Sequence, residues 1–262
     1  MDVKSITEQL LFTTIRMEVE RQGKMSQGTG FFFECLRNNK RYIFIVTCKH
    51  VVRDADKIFM YFIKGSGGLP RLGDAYKIAY INAKEVWFGH PSDDIDVAIL
   101  PFAPIYNQAQ KDNVELFFKA IPEKYVARGD TLKQLDALEN IIFIGYPAGL
   151  WDTKHYIPII RQGITATPPQ LDFEGKKAFL VSAPVFPGSS GSPVFLFDKS
   201  GTYIDKISGN VTVGVRLYFL GVISGVYTMK ETGEIVFPTR LKPYVEYEQF
   251  LDLGIVYKAC LL

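Results

Sequence analysis

Residues 184–197 read PVFPGSSGSPVFLF. The centre, GSSGS, has the composition of a flexible linker, yet prolines bracket it and SPVFLF follows at once with the apolar content of a strand. Three hydroxyls sit there, on Ser189, Ser190 and Ser192. A nucleophilic hydroxyl needs a tight turn whose backbone N–H groups converge where an oxyanion forms, and glycine permits that backbone path. Gly188 and Gly191 flank the serines, so the stretch is either a turn that carries chemistry or a turn and nothing more.

Working outward, short apolar or alternating runs recur between Gly, Pro, Asp and Asn. They are GTGFFFECL (28–36), RYIFIVTCKHVV (41–52), KIFMYFIK (57–64), EVWFGH (85–90) and DVAILPF (96–102), then IIFIGYP (141–147), IIRQGITATP (159–168), KAFLVSAP (177–184), LYFLGVISGVY (217–227) and EIVFPT (234–239). This spacing predicts about a dozen strands in an all-β sandwich or barrel. Helical spacing is confined to the first twenty residues, to the polar stretch NQAQKDNVELFFKAIPEKY (107–125), and to the end from Lys242, where VEYEQFLDLGIVY predicts a closing helix. Strand density falls between 103 and 138, which divides the chain into two β halves, 1–118 and 119–262.

The chain has 262 residues, enough to bury a core without disulfide or metal staples. Its net charge of +2 comes from 30 basic and 28 acidic residues with no Lys/Arg block, which excludes nucleic acid as a first reading. Cys35, Cys48 and Cys260 cannot all pair and lack ligand spacing, so free thiols, no metal and no cofactor are expected. The start carries acids and no apolar run of signal-peptide length, and no run approaches a membrane span. A cytoplasmic protein is expected, although export without such a signal would leave the same trace.

Three histidines limit the search for a general base to His50, His90 and His155. His50 ends the run YIFIVTCKH and, taken alone, reads as a satisfied core residue; His90 and His155 read as turn and loop residues. Asp96 opens DVAILPF, where a buried carboxylate must find a partner or shift its pKa, whereas Asp93 and Asp94 read as solvent-facing.

Together GTGFFF with VTCKHVV, DVAIL and GSSGSP, in that chain order, resemble the trypsin-like serine peptidases of the chymotrypsin fold. IGYPAG, IRQGITA and LGVISGV resemble second-barrel strands of bacterial members related to the high-temperature-requirement proteases, so the likeness runs from about 28 to 240. The resemblance implies two six-stranded antiparallel barrels with the site in the cleft between them. It implies Ser190 as nucleophile, His50 as base, Asp96 as the group that orients it, and the N–H groups of Gly188 and Ser190 as the oxyanion hole. Ser189 and Ser192 become turn residues. Pro184 would lie at the floor of the primary pocket, with Ser224, Gly225 and Val226 along one wall. No carboxylate is offered there for Lys or Arg, so a small or medium apolar residue before the scissile bond is expected in a protein or peptide substrate. Ser189 stands where zymogen-activated members carry an aspartate, and a member without a peptide-binding PDZ domain is expected. The competing expectation is a catalytically silent module that binds a peptide in the same cleft.

Overall fold

Phe31, Phe32 and Phe33 are consecutive and all buried, so the strand that holds them has core on both faces. In the computed structural model, residues 1–81, 86–206, 208–234 and 244–262 are described, without the side chains of 229–234 and 244–250. The run of three phenylalanines belongs to β2 (Lys24–Arg37). It lies between β1 (Thr14–Arg21) and β3 (Lys40–Thr47), antiparallel to both. One face meets the second half of the chain, where the Phe31 and Phe219 rings stand 5.4 Å apart; the other carries Phe32 against Phe102 and Phe118, each 4.9 Å or less away.

The remaining strands of the first half are β4 (Lys57–Ser66), β5 (Leu69–Ile81), β6 (Phe88–Gly89), β7 (Ala98–Pro101) and β8 (Ile121–Pro122). They make a sheet in the order β5-β4-β1-β2-β3-β7-β6, with β8 parallel to β2. Inward residues alternate as the pleat requires: Ile15, Met17 and Val19 on β1, and Ile58, Met60 and Phe62 on β4. In this half β5 and β6 stand at the two ends of the strand order, and among the described residues no ladder joins them. Three short helices lie beside it, α1 (Ile6–Leu10), α2 (Lys49–Val52) and α3 (Ala103–Lys111).

The second half is a closed six-stranded barrel. It contains β9 (Asn140–Gly145), β10 (Ile159–Thr165), β11 (Ala178–Ser182) and β12 (Pro193–Asp198), a side hairpin of β13 (Thr202–Ile204) with β14 (Val211–Val213), then β15 (Arg216–Glu234) and β16 (Tyr244–Lys258). The ring runs β10-β11-β16-β15-β12-β9. A fourth helix, α4 (Gly129–Gln134), precedes it. Phe143, Phe179, Leu196 and Ile223 belong to its own core, while Ile142, Ile144, Phe195 and Phe219 join the core of the first half. Alternate residues of β9 and β12 thus face opposite cores, and this shared wall fixes one half against the other.

The three helical expectations need correction. Of the first twenty residues only Ile6–Leu10 are helical, started by a capping box between Ser5 and Glu8; from Thr14 the Ile15/Met17/Val19 alternation takes over as strand. In 107–125 the helix ends at Lys111, Asn113 turns the chain at φ 56°, and Phe117 and Phe118 leave to pack on Phe12 and Phe32. The closing helix is a strand: β16 pairs with β15 and β11 and closes the barrel, leaving only a 3-10 turn at Ala259–Leu261. Its Ile255, Val256 and Tyr257 suit a sheet, and a vacant ladder on each side outweighs helical spacing. Of the expected run EIVFPT, the part beyond Glu234 lies outside the described residues, as do Lys242 and Pro243. No helix among the described residues is long and apolar enough to cross a membrane.

Candidate active site

His50 stands on the single turn of α2, which begins two residues after β3 ends, so the core packing of Ile45 and Val46 sets where the imidazole emerges. Asp96 stands two residues before β7, the neighbour of β3. This adjacency brings together two residues that are 46 apart in sequence. Asp96 Oδ1 accepts the backbone N–H of His50 at 2.9 Å, and Oδ2 lies 2.5 Å from His50 Nδ1. A carboxylate facing Nδ1 holds the proton there and leaves Nε2 free to accept another. The His50 side chain keeps 47% of its exposure while that of Asp96 keeps 20%, so the base faces solvent and its orienting group is withdrawn.

Burial pushes the Asp96 carboxyl towards a higher pKa, but hydrogen bonds from His50 and Ser224 together carry it below the ordinary value. Ser224 Oγ reaches the same Oδ2 at 2.5 Å. The ladder between β15 and β16 shifts register from Ile223 to Gly225, leaving Ser224 at the bulge and re-aiming it towards Asp96. This role goes beyond the cleft-wall expectation. No local signal marks it, because 128 residues separate the partners.

The Ser190 turn is held by its backbone. The carbonyl of Pro187 accepts from Ala148 N–H at 2.6 Å, that of Gly188 from Thr29 Oγ1 at 2.9 Å, that of Ser189 from Ser192 N–H at 2.9 Å and that of Ser190 from Thr29 N–H at 2.9 Å. The N–H groups alternate between used and free. Ser189 donates to Phe186 at 3.0 Å and Gly191 to Ile223 at 2.7 Å, while among the described residues the N–H groups of Gly188 and Ser190 have no protein acceptor. Among the described residues every peptide bond is trans, so each free N–H points away from the carbonyl anchored on its own peptide unit. Two unpaired donors one residue apart on a tight turn are the kind of group that an oxyanion would take up.

Glycine is required at both flanks. Gly188 adopts φ 90°, and a Cβ there would stand 2.6 Å from Tyr146 O; Gly191 adopts φ 89°, and a Cβ there would stand 1.9 Å from Thr29 O. The Ser190 hydroxyl is partly buried and donates to Ser224 O at 3.0 Å. No hydrogen bond joins it to His50 among the described residues. The hydroxyls of Ser189 and Ser192 are enclosed, at 1% and 0% residue exposure, with no hydrogen-bond partner.

Pro184 lies on the segment leading from β11 to the turn, and Val185 beside it is buried against Gly254 of β16. Val226 packs on the barrel core, and Gly225 has only Ile255 Cδ1 near the position of an added Cβ, at 3.8 Å. His90 and His155 are elsewhere: His90 Nδ1 accepts from Ser92 N–H at 3.1 Å, and His155 pairs with Asp152 at 2.7 Å. The loop of Asp152 carries Trp151, whose ring lies 4.5 Å from the Arg16 guanidinium and 4.7 Å from the Tyr156 ring.

Cys48 adds a group that sequence reading left aside. Its Sγ, His50 and Asp96 offer ligand atoms within 4.8 Å of one another. The donors are already committed, however: His50 and Asp96 hold each other, and the buried thiol donates to Ile223 O at 3.2 Å, its pKa pushed up by burial and by Asp96.

The His50–Asp96 pair of the first half and the glycine-framed Ser190 turn of the second are linked through Ser224, whose carbonyl accepts from Ser190 and whose hydroxyl donates to Asp96. The chain belongs to the family described as the trypsin-like peptidase domain, whose model matches residues 28–204. No curated protein sequence matches it. Among solved structures, the HtrA-type protease AlgW, carrying a serine-to-alanine change and a tripeptide, shares 12% identity over 97% of this chain at a TM-score of 0.50. The match covers 59% of the AlgW chain. Tobacco etch virus protease with product shares 16% identity over 87% of this chain and 73% of its own at TM-score 0.47. The active form of the Rv3671c protease from M. tuberculosis shares 13% over 96% and 78% at 0.45.

Proposed function

We propose that the protein hydrolyses peptide bonds in protein or peptide substrates through an acyl-enzyme on Ser190. The hydroxyl rotates from Ser224 O towards His50, and Oγ attacks the scissile carbonyl carbon as its proton passes to Nε2. Charge then develops on the carbonyl oxygen and is met by the N–H groups of Gly188 and Ser190. His50 returns the proton to the leaving amine, which departs, and water repeats the sequence to release the acid. Asp96 stays ionised and stabilises the imidazolium, with Ser224 holding the carboxylate in place. The observation that carries this reading is the Ser190 turn, where every carbonyl from Pro187 to Ser190 is tied away and the two expected oxyanion donors are left free. A preference for small or medium apolar residues before the scissile bond is supported by the lack of a carboxylate at Pro184.

A fluorophosphonate probe tests the nucleophile. Wild type is expected to gain one adduct on Ser190 by mass spectrometry, and Ser190→Ala to lose it, with kcat falling by roughly 10⁴- to 10⁶-fold. Labelling that persists in Ser190→Ala would defeat the assignment, and no labelling of folded wild type would favour a silent peptide-binding module. A peptide library then reads specificity, and cleavage chiefly after Lys or Arg would overturn the apolar preference.

A further inference from the structure

Arg21, the last residue of β1, reaches across to the far end of the helix that bears His50. Its Nε donates to Arg53 O at 2.8 Å and one Nη2 to both His50 O, at 2.8 Å, and Val51 O. Its Nη1 donates to Ser26 Oγ at 2.8 Å, which fixes the guanidinium on the neighbouring strand. These carbonyls have a structural need for such a donor. A helix leaves its last carbonyls unsatisfied, and α2 is a single turn whose backbone bonds at this end, Arg53 N–H to Lys49 O at 2.7 Å and Ala55 N–H to Val52 O at 3.4 Å, leave the carbonyls of His50, Val51 and Arg53 to other donors. A planar guanidinium presents several donors in a rigid fork and is suited to gathering divergent acceptors; an ammonium is not.

His50 is thereby held at both ends of its own backbone. Its N–H is fixed by Asp96 Oδ1 at 2.9 Å and its carbonyl by Arg21 Nη2 at 2.8 Å. Between these anchors the position of the imidazole relative to Ser190 has little freedom, and a shift of about 1 Å at a reacting group costs as much as 10²-fold in rate. Asp54 and Asp56 raise the guanidinium pKa, while burial, the larger influence, lowers it. Such a group stays charged throughout the working range.

We propose that Arg21 is a positioning residue for the general base: it clamps the carbonyls of His50, Val51 and Arg53 and so sets His50 at its reacting distance from Ser190. The inference rests on the proposed role of His50, and the experiment separates the two. His50→Ala, Arg21→Ala and Arg21→Lys are compared by kcat and KM on a peptide ester, with rates expressed per site titrated by the fluorophosphonate. Arg21→Ala is expected to lower kcat by roughly 10- to 100-fold with KM within about 2-fold, and millimolar methylguanidinium to restore part of the loss. Arg21→Lys, which keeps the charge and loses the fork, is expected to lie between.

A purely structural role would instead lower the number of titratable sites or the melting temperature while kcat per site stayed at the wild-type value, and that result overturns the proposal. If Arg21→Ala does not fold, Arg21→Lys decides: reduced kcat per site at unchanged KM supports the clamp, and wild-type kcat per site refutes it. Activity retained in His50→Ala would refute the role of His50 itself, whatever the Arg21 variants show.

Discussion

The two halves of the candidate site are held by different means. On the first-half side, His50 and Asp96 are fixed by side-chain bonds of 2.5 and 2.9 Å, joined by Ser224. On the barrel side, Ser190 stands on a turn whose carbonyls are bound by the backbone N–H groups of Ala148, Ser192 and Thr29 and by the Thr29 hydroxyl. An assembly of side chains can lose one bond and keep its shape, so its substitutions act mainly on rate. A backbone-held turn with obligatory glycines has no such tolerance, and substitution there acts on folding. Thr29 ties the two together, since it belongs to β2 of the first half and binds two carbonyls of the turn.

On the first-half side, the largest expected effect on an otherwise intact protein comes from Asp96→Asn. The amide keeps the shape but can donate to Nδ1, which stabilises the wrong tautomer, and kcat is expected to fall on the order of 10⁴-fold with little change in melting temperature. Steady-state kinetics beside thermal unfolding checks this. A large loss of stability with kcat nearly intact would reverse the contrast between the two sides.

Gly191→Ala breaks the other side. A Cβ would meet Thr29 O at 1.9 Å, on a residue at φ 89°, so the turn must open and take the contact with β2 along with it. We expect a loss of stability on the order of 3 kcal/mol or more, seen as a lower denaturant midpoint, and no fluorophosphonate adduct. A variant as stable as wild type would show that the turn is less constrained than its hydrogen bonds imply.

The smallest effect sharpens the comparison through pH. The pKa of Asp96 is depressed in the folded state, so the stability it contributes is present above its unfolded value of about 3.9 and is lost as pH falls through the folded value. Melting temperature is therefore expected to fall more steeply below about pH 4 in wild type than in Asp96→Asn. Parallel curves would show that the pair contributes to catalysis alone. Separately, kcat/KM is expected to decline towards acid pH in wild type, because only the neutral imidazole accepts the serine proton.

Much of the site was legible in the sequence because its motifs are short and local. GSSGSP carries its glycines beside its serine, and the strand endings that deliver His50 and Asp96 are visible as apolar runs that stop. What stayed hidden depends on partners far along the chain. The clamp from Arg21 spans 29 residues to His50, and Thr29 reaches Gly188 across 159. Neither leaves a periodic trace. The misread closing helix has the same origin, since the apolar spacing of VEYEQFLDLGIVY fits both periods and only the ladders offered by β11 and β15 select the strand.

By itself, then, the sequence determined the β class, the positions where strands stop, and the glycine-framed serine in PVFPGSSGSPVFLF, because each follows from residues adjacent in the chain. Tertiary structure alone decided that the second sheet closes into a barrel, that Ser224 turns onto Asp96, and that the serine turn leaves two N–H groups without an acceptor among the described residues. Each of these is settled by hydrogen bonds between distant strands, whose partners exist only once the halves have packed on their shared core.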